Sequence, residues 1–372
     1  MSTTNGNGLQ GFKALYPRLL HFGVTYGDLE RICAQPQDWD TWSRSLAEQA
    51  DQYERAGDDA WRKGRKVSAM QWWRRATDYF HYAQIRMVAM ADKRELQGRS
   101  RRNFVKLAAL LNPPAARLEV PFGSSLLPGY FRMACPGAPC TILIGGLDSA
   151  KEVELHYFAE GFLARGHSVF FFDGPGQGEL CGRLPMMTNF EGAVSTVIDY
   201  LLDHVEIDGQ RLGLFGVSFG GYLACRAAAS DGRIKACVSL GGFFDAQIFA
   251  RLSPLATAIF KRTFGLNERQ DLCGIAPQIS LQPLRGCMDR PLLILHGRDD
   301  HLVDEGQVAA LSEWACGPKR IWIMDDAEHV CTNRFSECLP EMGDWMSEQL
   351  AVPMSPSVGM AEGWQTYEQE IH

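Results

Sequence analysis

The sequence contains no apolar run that approaches the ~18 residues of a membrane-spanning helix. Its N-terminal stretch, MSTTNGNGLQGFK, also lacks the apolar core that a secretory signal peptide contains. We therefore expect a soluble, cytoplasmic protein that has no membrane partner.

Metal-binding and disulfide patterns are missing as well. The 11 cysteines form no C-x-x-C pair, and the 9 histidines show no H-E-x-x-H or other ligand spacing. The cysteine count is odd and the cysteines lie in apolar segments, as do Cys225 in YLACRAAA and Cys237 in KACVSL, which indicates reduced and mostly buried thiols. We expect neither a metal nor another cofactor.

The charge pattern argues against nucleic-acid binding. The formal net charge is -7, and the two locally basic stretches, RKGRK and GRSRRNFVK, do not alternate with strand aromatics as an RNA- or DNA-binding surface would. With 372 residues, of which 46% are hydrophobic, the chain is long enough for one large core and an additional subdomain. A small molecule is the partner that these properties favour.

Helical periodicity begins at Trp42. Apolar residues recur there at steps of three or four, the spacing of one helix face, and a second stripe follows the break at KGRK. The first stripe comprises Leu46, Ala50, Tyr53, Ala56 and Ala60, and the second comprises Met70, Trp73, Ala76, Phe80, Ala83, Met87 and Met90. They predict an antiparallel helical hairpin within an N-terminal helical domain at 1–115, with no firm structure before about residue 40.

A domain boundary is predicted after residue 115, because Pro113 and Pro114 stop a helix and the next residues alternate as a strand. Apolar strand-like runs then alternate with helical segments, which predicts an α/β fold with a mostly parallel sheet and helices on both faces, over 116–352. The alternation stops at about 245–288, where helical apolar spacing predicts a cap insertion. Residues 353–372 are predicted to form a polar tail.

One serine lies among glycines where a predicted strand passes into a helix. Residues 216–220, GVSFG, fit G-x-S-x-G, the pattern of a strained turn that lifts a serine hydroxyl clear of the sheet. Taken alone, the pattern fits equally well a glycine turn with a helix-capping serine. Ser218 is therefore a candidate nucleophile that needs further support.

That support comes from the next strand ends, because a serine nucleophile needs a base and the base needs an orienting acid. LLILHGRDDHLV ends a strand at Asp300, and His329 follows the strand in RIWIMDDAEHV. The order serine, aspartate, histidine is that of an α/β-hydrolase. Asp299 is the alternative acid. His296 lies within its strand and favours a structural role, and His301 follows the acid too closely to face it.

Backbone N–H groups near Ser218 are candidates for an oxyanion hole. Phe219, which follows the serine, supplies the first, and Leu147, after the two glycines that end ILIGG, is the candidate for the second. Ser149 and Glu152 have the spacing of a capping box, so LDSAKE is also a helix start. Capping by Ser149 would leave Asp148 facing the pocket.

The segments GGLDSAKE, FFDGPGQGE, GVSFGGYLA, HGRDDHLV and AEHVC, with the helical N-terminal extension, resemble the α/β-hydrolase superfamily. Within it they are similar to the family of 2,6-dihydroxypseudooxynicotine hydrolase and the polyketide-shortening hydrolases of fungal pigment pathways. The resemblance extends from about Trp42 to Leu350. It implies a triad of Ser218, Asp300 and His329, a cap and N-terminal domain that close the site, cleavage of a carbon–carbon bond next to a ketone, and a homodimer.

The resemblance also bears on Asp148. The nicotine-pathway member has a glutamate at this position that acts on the substrate, and the shorter aspartate argues against a nicotine-derived substrate here. Asp148 is a candidate for binding a substrate hydroxyl and helping to protonate the leaving carbon, and a capping or solvated role is an equal alternative.

The expected pocket is aromatic and poor in water. Aromatic residues of the insertion and of the hairpin either line it or hold the domains together; they are Phe244, Phe249, Phe260, Phe264, Trp72, Trp73 and Phe80. An esterase or thioesterase, or a biosynthetic cyclase or acyltransferase, would use the same triad. An inactive scaffold of hydrolase fold is disfavoured, because the triad and both oxyanion loops are present.

Overall fold

The computed structural model describes residue 13 and residues 15–34, 38–87, 89–267 and 269–351. The polar tail predicted at 353–372 lies outside these residues. The described part of the N-terminal region consists of helices and the turns that connect them. Two short helices, α1 (Tyr16–His21) and α2 (Tyr26–Cys33), precede three long ones, α3 (Trp39–Arg62), α4 (Lys66–Gln84) and α5 (Met90–Ala108). Helices α1 and α2 lie where the sequence indicated no firm structure.

The predicted hairpin is formed by α3 and α4, but its second stripe is shorter than expected. Helix α4 ends at Gln84, so Met87 lies in the connection and Met90 begins α5. The buried Lys93 ammonium of α5 donates to the Gln84 carbonyl at 3.1 Å and thus satisfies one of the free carbonyls at the end of α4. The chain therefore turns there, and the extended stripe was a wrong prediction.

In the described residues, eight strands form one sheet in the order β1-β2-β4-β3-β5-β6-β7-β8. Strands β1 and β2 are antiparallel to their neighbours, and all later pairings are parallel. The strands are β1 (Ala116–Phe122), β2 (Ser125–Arg132), β3 (Ala138–Ile144), β4 (Ser168–Phe172), β5 (Ile207–Val217), β6 (Ile234–Leu240), β7 (Leu292–Gly297) and β8 (Lys319–Met324). Parallel pairing needs crossover connections, which the intervening helices supply.

The helices between and after the strands cover both faces of the sheet. They are α6 (His156–Leu163, preceded by a π-helical turn at Lys151–Leu155), α7 (Glu191–His204), α8 (Phe219–Ser230), α9 (Pro254–Thr263), α10 (Glu305–Trp314) and α11 (Phe335–Gln349). A mostly parallel sheet with helices on both faces is the α/β-hydrolase fold that the sequence predicted, and this prediction is confirmed.

Two apolar clusters divide the core between the faces of the sheet. Alternate residues of β3 point to opposite faces, as strand pleating requires. Leu143 packs in a cluster with the N-terminal helices, whereas Ile142 and Ile144 pack in the other. The first cluster is continuous from Leu19 of α1 to the sheet. The N-terminal helices therefore share a core with the sheet and hold their side chains at fixed positions beside it.

Between β6 and β7 the chain forms short 3-10 turns and one α-helix, α9, and the described residues there contain no strand. A single bridge, between Asp245 and Ser280, closes the base of this segment. The ring of Phe260 in α9 lies 5.8 Å from that of Phe219, at the start of α8. The segment predicted as a cap at 245–288 therefore contacts the end of the sheet that carries Ser218, and the division of the chain into domains stays a prediction.

Candidate active site

Ser218 occupies the turn between β5 and α8 with φ of 56°. A non-glycine residue pays for this left-handed conformation, and such strain is concentrated at functional turns. The neighbouring glycines make this turn possible, because backbone atoms of other segments approach them too closely for a side chain. A Cβ on Gly216 would lie 2.0 Å from the Gly220 carbonyl oxygen, and one on Gly220 would lie 2.3 Å from that of Ile144. The glycine pattern in the sequence is thus a packing requirement of this turn.

The His329 imidazole contacts the serine. Its Nε2 lies 2.8 Å from Ser218 Oγ, a hydrogen-bond distance. The histidine follows β8 in a tight loop, in which Val330 and Cys331 have φ of 52° and 55°. The Cys331 N–H donates to the Glu328 carbonyl at 2.8 Å, which closes the loop around the histidine.

Asp300 lies on the other side of the imidazole, with Oδ2 2.7 Å from His329 Nδ1. Its second oxygen accepts the N–H groups of Leu302 and Val303 at 2.8 and 2.9 Å. Burial alone would raise the pKa of Asp300, but His329 and these N–H donors hold the pKa below its usual value. An ionised acid fixes Nδ1 as the donor and leaves Nε2 to accept the serine proton.

The alternative acid and bases do not take part in the hydrogen-bonded chain from Ser218 to Asp300. Asp299 and His301 line the cavity beside the site, without a described hydrogen bond to the His329 ring. His296 is buried and lies 3.9 Å from Asp300, which is too far for a hydrogen bond, and burial lowers its pKa. The structure therefore brings Ser218, Asp300 and His329 together and leaves the other candidates outside this hydrogen-bonded chain.

The loop after β3 packs directly on the serine. A Cβ on Gly146 would lie 3.2 Å from Ser218 Cβ, so the backbone that leads into Leu147 passes close to the nucleophile, with little room for a side chain between them. The Gln177 amide holds this loop by donating to the Gly145 carbonyl at 2.5 Å, and its oxygen accepts the Gly174 N–H at 3.0 Å. Leu147 and Phe219 both line the cavity at Ser218, and their service as oxyanion donors stays a prediction.

The capping box predicted from Ser149 and Glu152 does not form. Ser149 Oγ accepts the Gly146 N–H at 3.1 Å, and the following helix starts one residue later, with Ala150 at its N-cap. The Glu152 carboxylate instead forms an ion pair with the buried Lys151 ammonium at 2.8 Å. The carboxylate of Glu154 takes the Ala150 N–H at 2.9 Å and so caps the turn.

Asp148 lines the cavity, as expected, but it has a partner that the sequence did not reveal. Its Oδ1 accepts from Arg18 Nη1 at 3.0 Å, and Arg18 belongs to α1. Burial would raise the pKa of Asp148, whereas Arg18 and Arg86 lower it, and the pKa lies below its usual value. Asp148 is therefore an ionised hydrogen-bond acceptor at neutral pH.

Behind Asp148 lies a buried carboxylate, Glu154, whose side chain is only 3% exposed. It accepts hydrogen bonds from Arg18 (2.6 Å), His81 (3.1 Å) and Tyr82 (3.2 Å), in addition to the Ala150 N–H. Burial would raise the pKa of Glu154, but His81 and Arg18 lower it far below its usual range. The carboxylate connects α1, α4 and the turn after β3 in one charged cluster.

These residues surround a cavity of about 540 Å³. Of the aromatic residues predicted to line it, Phe260 does so, whereas Phe244, Phe249, Phe264, Trp72, Trp73 and Phe80 do not. The hairpin aromatics do not line the cavity because helix α1 and its flanking residues lie there instead. Leu15, Arg18 and Phe22 form this part of the cavity wall. A six-residue helix is too short to show periodicity, and only Pro17 near its start was a signal.

None of the helices in the described part of the chain has the length and apolar content to cross a bilayer. Among these same residues, no group of three or more histidine, cysteine or acidic side chains is arranged to hold a metal ion.

Two family models match the chain. The model described as "Esterase FrsA-like" matches residues 40–257, and that of the prolyl oligopeptidase family matches residues 193–348. The chain is 29% identical over 352 residues to 2,6-dihydropseudooxynicotine hydrolase of Paenarthrobacter nicotinovorans, which covers 93% of this chain and 94% of that protein. It is 33% identical over 241 residues to 20-hydroxy-prefusarin hydrolase FUS2 of Gibberella moniliformis, which covers 60% of this chain and 57% of the relative.

Solved structures agree with these matches. The crystal structure of 2,6-dihydroxy-pseudo-oxynicotine hydrolase superposes with a TM-score of 0.82 at 29% identity, over 90% of this chain and 95% of that one. AbyA5 superposes with a TM-score of 0.71 over 91% of this chain and 99% of that one, at 17% identity, which bears on the fold alone. The family resemblance indicated by the five sequence motifs is confirmed.

Proposed function

We propose that this chain, which belongs to the FrsA-like esterase family, uses Ser218 as the nucleophile of a hydrolytic reaction on a ketone or an ester. The protein is an α/β-hydrolase enzyme, as its named relatives are. One observation carries the proposal: Ser218 Oγ, His329 and Asp300 form a continuous hydrogen-bonded chain that opens into a mainly apolar cavity. A nucleophile, its base and the orienting acid are the parts that acyl transfer requires.

In the proposed reaction, Ser218 Oγ attacks the substrate carbonyl while His329 Nε2 takes the serine proton. The N–H groups of Phe219 and Leu147 stabilise the oxyanion that forms. The carbon–carbon or carbon–oxygen bond then breaks, and the imidazolium returns its proton to the leaving carbon or oxygen. Water, activated by His329, adds to the acyl-serine, releases the acid and restores the serine hydroxyl.

The more specific proposal is that the enzyme cleaves a carbon–carbon bond next to a ketone. Its leaving group is a carbanion, which is tolerable only when an adjacent carbonyl or an electron-rich ring delocalises the charge. The relatives named 2,6-dihydropseudooxynicotine hydrolase and 20-hydroxy-prefusarin hydrolase support a substrate of aromatic or polyketide type. Asp148, being ionised, would accept a hydrogen bond from a substrate hydroxyl next to the leaving carbon, and His329 would deliver the proton.

An isotope experiment tests hydrolysis against cyclisation or acyl transfer. We expect the enzyme, supplied with an o-hydroxyphenyl β-diketone or an aryl ester in water labelled with heavy oxygen, to release an acid that carries one labelled oxygen. Mass spectrometry of the product measures this. An unlabelled, cyclised or transferred product would contradict hydrolysis and support the cyclase or acyltransferase alternative.

Replacing Asp148 by asparagine tests its proposed contact with the substrate. We expect kcat/KM for the o-hydroxyphenyl β-diketone to fall about 10-fold to 100-fold, because an amide accepts the hydroxyl hydrogen bond without a charge. Turnover of a simple aryl ester should change less than about threefold, since it presents no such hydroxyl. Steady-state kinetics on both substrates give the comparison. Equal losses on both would mean that Asp148 acts only by holding Arg18.

A further inference from the structure

The catalytic cavity contains a cationic side chain that the proposed reaction does not use. Arg86 follows the end of α4 and lines the cavity on the same wall as Arg18 and Asp148. It is half-buried, and its Nε is fully buried without a hydrogen-bond partner among the described residues. The described ion pairs include Arg18 with both Asp148 and Glu154, but none with Arg86. Trp39 offers only a distant ring, 5.9 Å from the guanidinium carbon.

An unpaired guanidinium in this place is costly. Burial lowers the pKa of Arg86, and the nearby Asp148 counteracts this only in part. Arginine nevertheless keeps its charge in proteins, so the desolvation cost persists until an anion binds. A planar guanidinium with two parallel N–H donors matches a carboxylate in shape as well as charge.

The surrounding charges select a single negative charge. Asp148 and Glu154, the two carboxylates on this wall, both pair with Arg18, and of the two arginines in the described cavity lining Arg86 is the one that forms no ion pair. The two arginines and two carboxylates of this wall balance each other, so a doubly charged phosphate would add twice the uncompensated negative charge of a carboxylate. A carboxylate, with one charge and two oxygens, fits this balance better.

The sheet order separates this cation from the other charged part of the cavity. Asp148 follows β3, which lies on one side of β5 and Ser218, whereas Asp299 and Glu328 follow β7 and β8 on the other side. A substrate anion is thus attracted toward the β3 side and repelled from the β7 side. The two ends of the cavity fix the direction in which an elongated substrate lies across Ser218.

We propose that the natural substrate carries a carboxylate, and that Arg86 binds it while the carbonyl to be attacked lies at Ser218. This assignment rests on the proposed serine-hydrolase function. Arg86 selects the substrate and its orientation, and it takes no part in bond breaking. Binding is the same in the ground state and in the transition state, so its loss raises KM more than it lowers kcat.

The test uses nitrophenyl monoesters of dicarboxylic acids of increasing length, from adipate to sebacate, each with its neutral methyl ester as the matched compound. We expect wild-type kcat/KM to favour one or more of the anionic esters by about 10-fold to 100-fold over the methyl ester, the range of a charge-assisted hydrogen bond. The series of lengths covers the unknown distance from Arg86 to the scissile carbonyl.

Arg86→Gln should remove this preference, because KM for the anionic esters rises much more than KM for the matched neutral esters. Arg86→Lys, which keeps the charge but not the planar fork, should retain part of the preference. Arg102→Gln is the matched control, because Arg102 is an exposed arginine of α5 outside the cavity lining, and it should keep the full preference.

The outcomes separate the two proposals. Wild-type enzyme that hydrolyses the neutral esters but favours no anionic ester of the series overturns the carboxylate site and leaves the hydrolase function standing. The same holds when Arg86→Gln loses activity on both ester types equally. Wild-type enzyme that hydrolyses neither type contradicts the proposed function itself. Competition by dicarboxylate monoanions, but not by the corresponding amides, supports the site without any substitution.

Discussion

Ser218→Ala is expected to reduce kcat by about 10⁴-fold to 10⁶-fold, the loss found when the nucleophile of a serine triad is removed. The physical reason is that no other hydroxyl occupies the strained turn that faces His329 Nε2 at 2.8 Å. A fluorophosphonate probe should label the wild-type protein and leave the alanine variant unlabelled. Activity on a nitrophenyl ester and intact-mass spectrometry measure the two effects.

A double variant sharpens this expectation. Because serine and histidine act as one unit, Ser218→Ala combined with His329→Ala should be little slower than either single variant. Cys225→Ala, at a buried thiol outside the cavity lining, is a control that should keep its labelling. Labelling of Ser218→Ala at the wild-type rate, or failure of the wild-type protein to react, would contradict the assignment of the nucleophile.

Glu154→Gln is expected to give the largest loss of stability, about 3–5 kcal/mol in the free energy of unfolding at neutral pH. The substitution keeps the side-chain volume but removes a buried charge that holds Arg18, His81 and Tyr82. Among the described residues, the one carboxylate still paired with Arg18 would then be Asp148, whose side chain is 24% exposed. Urea unfolding followed by circular dichroism measures the change, and Glu341→Gln, in an exposed ion pair with Arg320, should have little effect.

The same substitution has a pH signature. The folded-state pKa of Glu154 lies below its unfolded value, so its contribution is complete above the unfolded pKa of about 4.3 and is lost as the pH falls toward the folded pKa. The difference in stability between wild type and Glu154→Gln should therefore be constant from neutral pH to about pH 5 and shrink below about pH 4. A difference that grew on acidification would contradict the cluster as described.

The sequence predicted the proposed reacting groups because each follows a parallel strand; β5 and β7 are buried at the ends that lead to the site, whereas β8 is a more exposed edge strand. Ser218, Asp300 and His329 lie after β5, β7 and β8, and position relative to the strand ends favoured His329 over His296 and His301. The spacing Gly297-x-x-Asp300-x-x-Val303 favoured Asp300 over its neighbour Asp299. Strand and helix periodicity also predicted the sheet. These signals are local, since a strand that is buried on both faces must be apolar along its whole length.

Such local signals did not predict that Arg18, Arg86 and Glu154 line the cavity. Arg18 lies in a helix of six residues, below the length at which a helix is stable on its own, so packing and not periodicity forms it. Arg86 lies just past the end of α4, and Glu154 lies in a π-helical turn where a capping box was expected. These side chains meet through tertiary packing of distant segments, which one sequence does not reveal.

Helix α1 has a consequence for how new selectivity arises. The sheet positions Ser218, Asp300 and His329, whereas Leu15, Arg18 and Phe22 line the cavity from a short segment outside the sheet and its crossovers. We expect exchange of Leu15 and Phe22 to alter what the enzyme accepts, provided that Arg18, which holds the buried Glu154, is kept. Mutant libraries confined to α1 and its flanks are therefore an economical route to enzymes with altered substrate range.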